Sequence, residues 1–575
     1  MKLPSILLVC LSAVTATAAG LPAELLKLAD DNPVDWQSWD DEAIARAQVE
    51  QRPIFLSVGD PLNELSGSMH RQTFNNAEVA AFLNDTFVCV LVERDTVPGI
   101  AAYGQQWLAA TQQLPGWPLN LWFTPDLQPI EGASYLPPTE EWGREGFMIV
   151  AERVGSGWAS DPEASQRQAS HNAELIADYL PYPPTPPDDL AEALEFAVED
   201  WLAIADVENG LFGDPPHPIE PELIRFLIHA GDEAQTGALE MLRARLSGAL
   251  RDPVDGGFYR GTVDLLGTIP VFQKRLTDQA RMALACLDAA QVSDDPIFAA
   301  GVRSALDYAL ARLSPAGDGT FIVGEDATQP EATKTHTWTH DQLVELIGAD
   351  AATALGAQAD GNVDPEEDLE GHHAGRNILR ASPAASQTRA MFELRAKLLT
   401  VRESHGSTQV HSQATLGAHA LMVHALNRAA IELGDLDYGQ WVVACKAALR
   451  RDFSVGENHW TRIAQSDVSA TPLDLLLLAQ ALNDDGLLAT TDTQFLDADA
   501  GLYFATEHDV FGVRPHWWNP ATGDLPAPSV IRVQLGGAPE VVTTAIMAPL
   551  ENFDVPPPGP VVLALQSASS SGVSP

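Results

Sequence analysis

Residues 180–187, LPYPPTPP, carry five prolines in eight positions. Such a run has fixed φ angles and too few N–H donors for helix or sheet, so it forms a stiff spacer that no core absorbs. Before it, apolar runs of strand length alternate with helical patterns. Beyond it, helical patterns follow one another with almost nothing between. An α/β unit followed by an all-α unit is therefore expected, and 575 residues exceed one ordinary domain. The expected divisions are 1–19, 20–180, the spacer 181–188, 189–552, and a Pro/Ser-rich tail at 553–575 predicted to be disordered.

The first division reads as an address. A basic start at Lys2, an apolar run from Ile6 to Val14 and the small residues Ala16-Thr17-Ala18 make a secretory signal peptide. Export to the periplasm or the extracellular space is expected. No later run approaches the ~20 apolar residues of a membrane span. Thirty-three Lys and Arg stand against 79 Asp and Glu, a net charge of −46 that repels phosphate backbones and makes nucleic acid an unsuitable partner. Beyond the leader three cysteines remain, Cys89, Cys286 and Cys445, widely separated and set among apolar residues. They read as small buried hydrophobes and not as a disulfide framework.

Within 20–180, a helix is predicted over 40–51, a buried strand over Ile54–Val58, a helix over 76–83 and a strand over Phe87–Val92. Leu119–Phe123 reads as a further strand entering a Thr124-Pro125-Asp126 turn. Strand, helix, strand, strand is the order of a thioredoxin-like sheet. In that fold the junction after the first of these strands holds a reactive Cys-x-x-Cys pair. Here the junction is GDPLNELSGSMHRQTF, residues 59–74, with no cysteine.

NPVDW at 32–36, PIFLSVG at 53–59, FVCVLVERD at 87–95 and GWPLNLWFTPD at 116–126 together resemble one known domain. It is the thioredoxin-like DUF255 domain of the spermatogenesis-associated protein 20 family, which has YyaL-like bacterial members. In that family the strand is usually followed by Gly, three residues, Cys-His-Trp-Cys-His, and then a Met and a Phe. This chain keeps Gly59, Met69 and Phe74 in register but places Asn63 and Ser66 at the two cysteine positions. By the same resemblance, Pro118 is the cis-proline that faces the junction.

Beyond the spacer, helices are predicted near 189–205, 221–229, 234–250, 276–290, 295–313, 340–348, 386–402, 412–433, 437–450 and 472–483. Leu416, Ala420, Val423, Ala430 and Leu433 show the helical spacing of an apolar stripe. Helices of similar length joined by Gly/Asp-rich loops suggest a solenoid or an α/α toroid. The resemblance continues here through DGGFYRGTVD at 255–264, PVFQKRLTDQA at 270–280, Glu325-Asp326-Ala327 and Thr337-Trp338-Thr339. It implies a six-hairpin α/α barrel similar to those of glycosidases and sugar epimerases. The chain's C-terminal part offers no counterpart to the family's last helical region, so an incomplete ring is expected.

The rim of such a ring supplies the candidate residues: Asp255, Tyr259, Arg260, Asp278, Glu325, Asp326, Trp338 and His411. Glycoside hydrolysis needs two carboxylates across one sugar bond, epimerisation needs a group that titrates near neutral pH, and tryptophans stack on sugar rings. No spacing singles out a carboxylate pair, and adjacent His372 and His373 lack a third ligand for a metal. No cofactor or metal is expected. Three readings stand: a non-catalytic protein binding a carbohydrate-like molecule or a protein partner, a carbohydrate-active enzyme using the toroid cleft, and a thiol–disulfide redox protein.

Overall fold

The computed structural model describes residues 32–503, except 112–115, 142, 179–197, 328–329, 369–370, 382–388, 406–407, 457–458 and 498–501, together with residue 29 and the strands at 529–535 and 538–544. The expected leader, spacer and tail lie outside the described residues. The chain divides into two compact units at residues 179–180.

In the first unit, α1 (Asp41–Glu50) starts where the Asp40 side chain accepts the Ala43 N–H at 2.9 Å. It leads into β1 (Ile54–Gly59), every residue of which is buried, as is every residue of β2 (Val88–Glu93). Burial on both faces is what a parallel pair needs, and β1 and β2 run parallel in register from Ile54↔Val88 to Gly59↔Glu93. Strands β3 (Leu119–Phe123) and β4 (Pro129–Ala133) extend the sheet antiparallel, giving the order β2-β1-β3-β4. Alternation then sorts the side chains. Ile54, Leu56, Val58, Val88 and Val90 pack with Tyr103, Trp107 and Leu108 of α4 (Pro98–Ala110). Phe55, Cys89 and Trp122 pack on the other face with Met69, Phe74, and α3 (Ala77–Thr86) and α5 (Phe147–Ser160). Between β1 and α3 lie the short α2 (Glu64–Ser68) and a π-helical turn, Met69–Phe74. Helix α6 (Pro162–Asp178) closes the unit. The sequence reading lacked α4, whose apolar residues are spread all round and give no one-sided stripe.

The second unit is built from helix pairs joined by two or three residues: α7 (Pro221–His229) with α8 (Asp232–Ser247), α9 (Leu276–Val292) with α10 (Pro296–Arg312), α15 (Leu416–Glu432) with α16 (Leu436–Phe453), and α17 (Pro472–Leu482) with α18 (Asp485–Phe495). The first members also pack on one another in the series α7–α9–α15–α17. These are inner helices: twelve of seventeen residues of α9 are buried, against seven of eighteen in α16. An inner row backed by an outer row is the α/α layering of a toroid. One apolar cluster runs through these helices. Between α10 and α15 the chain forms α11 (Pro330–His336), α12 (His340–Ile347), α13 (Ala349–Ala354) and α14 (Arg389–His405), which enclose a separate small core. Strands β5 (Gln273–Arg275), β6 (Gly324–Asp326) and β7 (Gln409–His411) form a three-stranded antiparallel sheet. Strands β8 (Ser529–Leu535) and β9 (Ala538–Thr544) pair as a hairpin.

Candidate functional site

At the end of β1 the turn that would present a dithiol is closed by its own hydrogen bonds. Asn63 caps α2, its Oδ1 accepting the Ser66 N–H at 3.2 Å. Ser66 is buried and its Oγ accepts the Asp60 N–H at 3.2 Å. Buried Asp60 accepts the Leu62 N–H at 2.9 Å and pairs with Arg94 at 3.1 Å. The Arg94 guanidinium lies over the Trp117 ring, 5.4 Å from its centroid, and the Trp117–Pro118 peptide bond is cis. The histidine of this segment is no base for Ser66. His70 Nδ1 lies 2.7 Å from Asn32 Oδ1, and burial, with Arg71 adding, pushes its pKa down to about 4.

Glu93, one strand over, escaped the sequence reading because it ends an apolar run. It is buried, its Oε1 accepts the Asp95 N–H at 3.0 Å and Oε2 has no hydrogen-bond partner among the described residues; burial, aided by Asp95, holds its pKa well above the usual carboxylate range. The three cysteines are buried and unpaired. Burial raises the pKa of each thiol, Cys445 to about 12 with Asp318 adding, which is the reverse of thiolate activation.

In the second unit the three-stranded sheet decides which candidates meet. Lys274 pairs with Glu325 of the central strand, which pairs in turn with Val410, while its neighbours Gln273 and Arg275 lie in the rows of Asp326 and of Gly324 and His411. Since successive side chains alternate, the rim residues divide between two faces.

On the face of Lys274 lies a closed ionic cluster. The Lys274 ammonium is 2.8 Å from Asp252 and 2.5 Å from Asp255, donates to the Gly256 carbonyl at 2.8 Å, and sits over the rings of Tyr308 and Tyr259 at 4.4 and 5.1 Å. Arg402 of α14 approaches Asp252 to 2.6 Å. Tyr308 donates to Glu325 at 2.8 Å. Burial disfavours ionisation of Asp252, yet Arg402 and Lys274 hold its carboxyl well below the usual range. Asp255, Tyr259 and Glu325 thus belong to a dry, mutually satisfied pin and not to an open cleft. Trp338 is not a sugar platform either: it is 4% exposed and packed with Leu343, Leu355 and Leu398 in the separate core.

The opposite face gathers Arg260, Asp278, Asp326 and His411 around residues the sequence reading did not choose. Arg260 Nη1 and Arg275 Nε both donate to Gln273 Oε1, at 3.2 and 2.9 Å, and Gln273 Nε2 donates to Asp326 Oδ2 at 3.2 Å. Arg275 is also the N-cap of α9, where no side chain caps the helix. Asp278, in the first turn, is 0% exposed and neither carboxyl oxygen has a hydrogen-bond partner among the described residues. Burial pushes its pKa up to about 6 against the fields of Arg275, Arg281 and Arg260, with Glu222 adding to the rise. Arg281 pairs with Glu222 of α7 at 2.7 Å. The alternation of Gln273, Lys274 and Arg275 about a β-strand was the signal that could have found this face. Among the described residues no group of His, Cys, Asp and Glu has a metal-holding arrangement.

Residues 21–177 match the family model described as a protein of unknown function, DUF255. Spermatogenesis-associated protein 20 of Rattus norvegicus is 30% identical over 399 residues, 63% of this chain and 50% of that protein, and the Homo sapiens protein matches to the same extent. The uncharacterized protein B0495.5 of Caenorhabditis elegans is 24% identical over 508 residues, 79% of this chain and 69% of that protein. The chain thus spans about half the length of the first two relatives. Among solved structures, a sugar epimerase from a ruminal bacterium aligns with 57% of this chain and 92% of its own at TM-score 0.28 and 14% identity. Cellobiose 2-epimerase from Spirochaeta thermophila aligns with 56% and 90% at TM-score 0.25 and 13% identity.

Proposed function

Since the chain is a divergent member of the spermatogenesis-associated protein 20 family, with a DUF255 domain over residues 21–177, we propose that it is an exported ligand-binding protein without thiol–disulfide chemistry. The thioredoxin-like unit serves as a scaffold, and the helical unit binds a carbohydrate-like small molecule. Asn63 and Ser66 supply no sulfur, and the remaining thiols are buried with raised pKa values. One observation carries the ligand-binding half. Strand β5, the loop before it and helix α9 bring two guanidiniums, an amide and a buried acid without hydrogen-bond donors among the described residues to one place. A buried polar group left unsatisfied costs free energy, and such groups concentrate at functional sites.

Calorimetry of the full chain with neutral and acidic mono- and disaccharides tests this. Saturable binding of at least one sugar is expected, weakened by substitution at Arg260. Absence of binding to every sugar at millimolar concentration would overturn the ligand-binding reading. In an insulin-reduction assay the chain is expected to match its Cys89→Ala, Cys286→Ala, Cys445→Ala variant, and activity above that variant would restore the redox reading.

A second reading, a carbohydrate-active enzyme, has one specific support. A carboxyl with a pKa of about 6 is suited to proton transfer near neutral pH. Turnover of a bound sugar that disappears in Asp278→Asn would establish it.

A further inference from the structure

We propose that the outward face of α16 (Leu436–Phe453) is an interface on which a second copy of the chain docks antiparallel, with Val443 on the two-fold axis.

An outer helix of an α/α layering needs one apolar side, and α16 has it. Tyr438, Val442, Cys445 and Leu449 are buried in the core of the helical unit. A polar opposite side would complete the pattern. Instead Leu436 and Val443, two helical turns apart, are 83% and 70% exposed, with exposed Gln440 and Ala447 on the same stripe. Beside them, a Cβ at Gly439 would meet only open space. Ile431 before the helix and Val455 after it are exposed as well. Four of the thirteen large apolar residues exposed among the described residues therefore fall in this one stretch. Scattered singly such residues mean little, but at seven-residue spacing around small residues they make a packing seam.

Charge decides what fits the seam. With 79 acidic and 33 basic residues, the chain repels a second copy of itself over most of its surface. The last turns of α16 are an exception, with Lys446, Arg450 and Arg451 in six positions. Arg451 is neutralised by Asp318 and Asp452, at 3.0 and 2.7 Å. Lys446 and Arg450 form no ion pair among the described residues, although like charges four residues apart destabilise a helix. The other end of α16 is acidic. Asp435 caps the helix and pairs with Arg303, while Asp437 is exposed and forms no ion pair among the described residues.

An antiparallel copy brings these opposite ends together, whereas a parallel one would set each basic end against its own kind. With Val443 facing Val443, positions equally far on either side of it meet. Leu436 then lies along the Arg450 stem with Asp437 beside the guanidinium, Gly439 faces Ala447, and Gln440 faces Lys446. The positive end of each helix dipole comes beside the negative end of the other. Such a two-fold contact is self-complementary and closes at two copies. An eighteen-residue helix is ~27 Å long, so the contact is at the small end of specific interfaces and the dimer forms and dissociates with concentration.

Sedimentation velocity of the full chain tests this at about 0.15 M sodium chloride, where the Debye length is ~8 Å and the general repulsion is screened. The mass is expected to rise from one chain to two across the micromolar range. Val443→Asp is expected to weaken the dimer by about tenfold or more while leaving the melting temperature unchanged. Should that variant fail to fold, Leu436→Ser carries the same test. Arg450→Glu is expected to weaken the dimer, and adding Asp437→Arg to it is expected to restore most of the loss. A single chain at every concentration overturns the proposal. A dimer unchanged by Val443→Asp and Leu436→Ser overturns its location, and failure of the charge swap to restore it overturns the antiparallel pairing. Hydrogen-exchange protection of α16 in a chain that stays monomeric would assign the face to another part of the same chain and overturn the proposal as well.

Discussion

Asp278 and Lys274 sit four residues apart, and their environments give them opposite consequences. The carboxyl of Asp278 has a folded-state pKa raised from 3.8 to about 6 by burial. Between those values the folded chain binds more protons than the unfolded one, so this residue lowers stability as pH rises through the interval and its effect levels off above it. The size is on the order of 3 kcal/mol. Asp278→Asn is therefore expected to gain stability relative to the unmodified chain as pH goes from 4 to 6, read by urea unfolding across that range. Parallel pH profiles for the two proteins would refute the assignment. Lys274 instead holds two buried carboxylates, Asp252 and Asp255. Removing one partner of a buried ion pair strands the other charge, at a cost of about 3–5 kcal/mol. Lys274→Met is expected to lower stability by that amount in chemical denaturation, and joint replacement of Asp252 and Asp255 by Asn is expected to restore part of it.

The loop from Asp252 to Tyr259 is positioned by elements far apart in sequence: Lys274 from β5, Arg402 from α14, and Tyr308 from α10. Its chain reversal depends on Gly256 and Gly257, both with positive φ (84° and 73°). A Cβ at Gly257 would stand 2.6 Å from the Tyr308 ring, in a backbone region that side chains disfavour. Gly257→Ala is expected to cost about 2–4 kcal/mol, measured as a fall in melting temperature. A silent substitution would mean that the loop is less constrained than its contacts indicate. The elements themselves were largely legible. Strand β1 is a buried, largely apolar run that follows Pro53 and ends at Gly59, and α15 buries Leu416, Ala420 and Val423 of the expected stripe while Ala430 and the C-cap Leu433 are partly buried. Helix α4 was not legible, because Tyr103, Trp107 and Leu108 lie among Gly, Ala and Gln that are also buried. A helix covered on most sides has no stripe to read.

For the whole chain, the two units hold separate cores, with the apolar residues on the two faces of the sheet in one and the inner helices in the other. Self-repulsion from a net charge of −46 is largely unscreened at low ionic strength, where the Debye length is ~30 Å at 0.01 M against ~8 Å at 0.15 M. Melting temperature is expected to rise by several degrees on adding sodium chloride between those concentrations. A fall or no change would show that ion pairs such as Arg428 with Asp288 and Arg225 with Asp288 outweigh the general repulsion.

The sequence by itself determined the class of each unit and the absence of cysteine from the junction after Gly59. Those depend on local pattern and residue identity: a buried strand before Gly59, repeated helical periods beyond the prolines, and Asn63 and Ser66 where sulfur would stand. Only the tertiary structure decided which rim residues share a site. Gln273, Lys274 and Arg275 are consecutive, yet strand alternation sends Lys274 into a closed ionic pin and its neighbours to the opposite face with Asp326 and His411. Trp338 was drawn into a core that its loop context did not indicate. Whether a charged side chain is a dry structural pin or an unsatisfied group open to chemistry is a property of its surroundings in three dimensions. Those surroundings come from strands and helices more than a hundred residues apart.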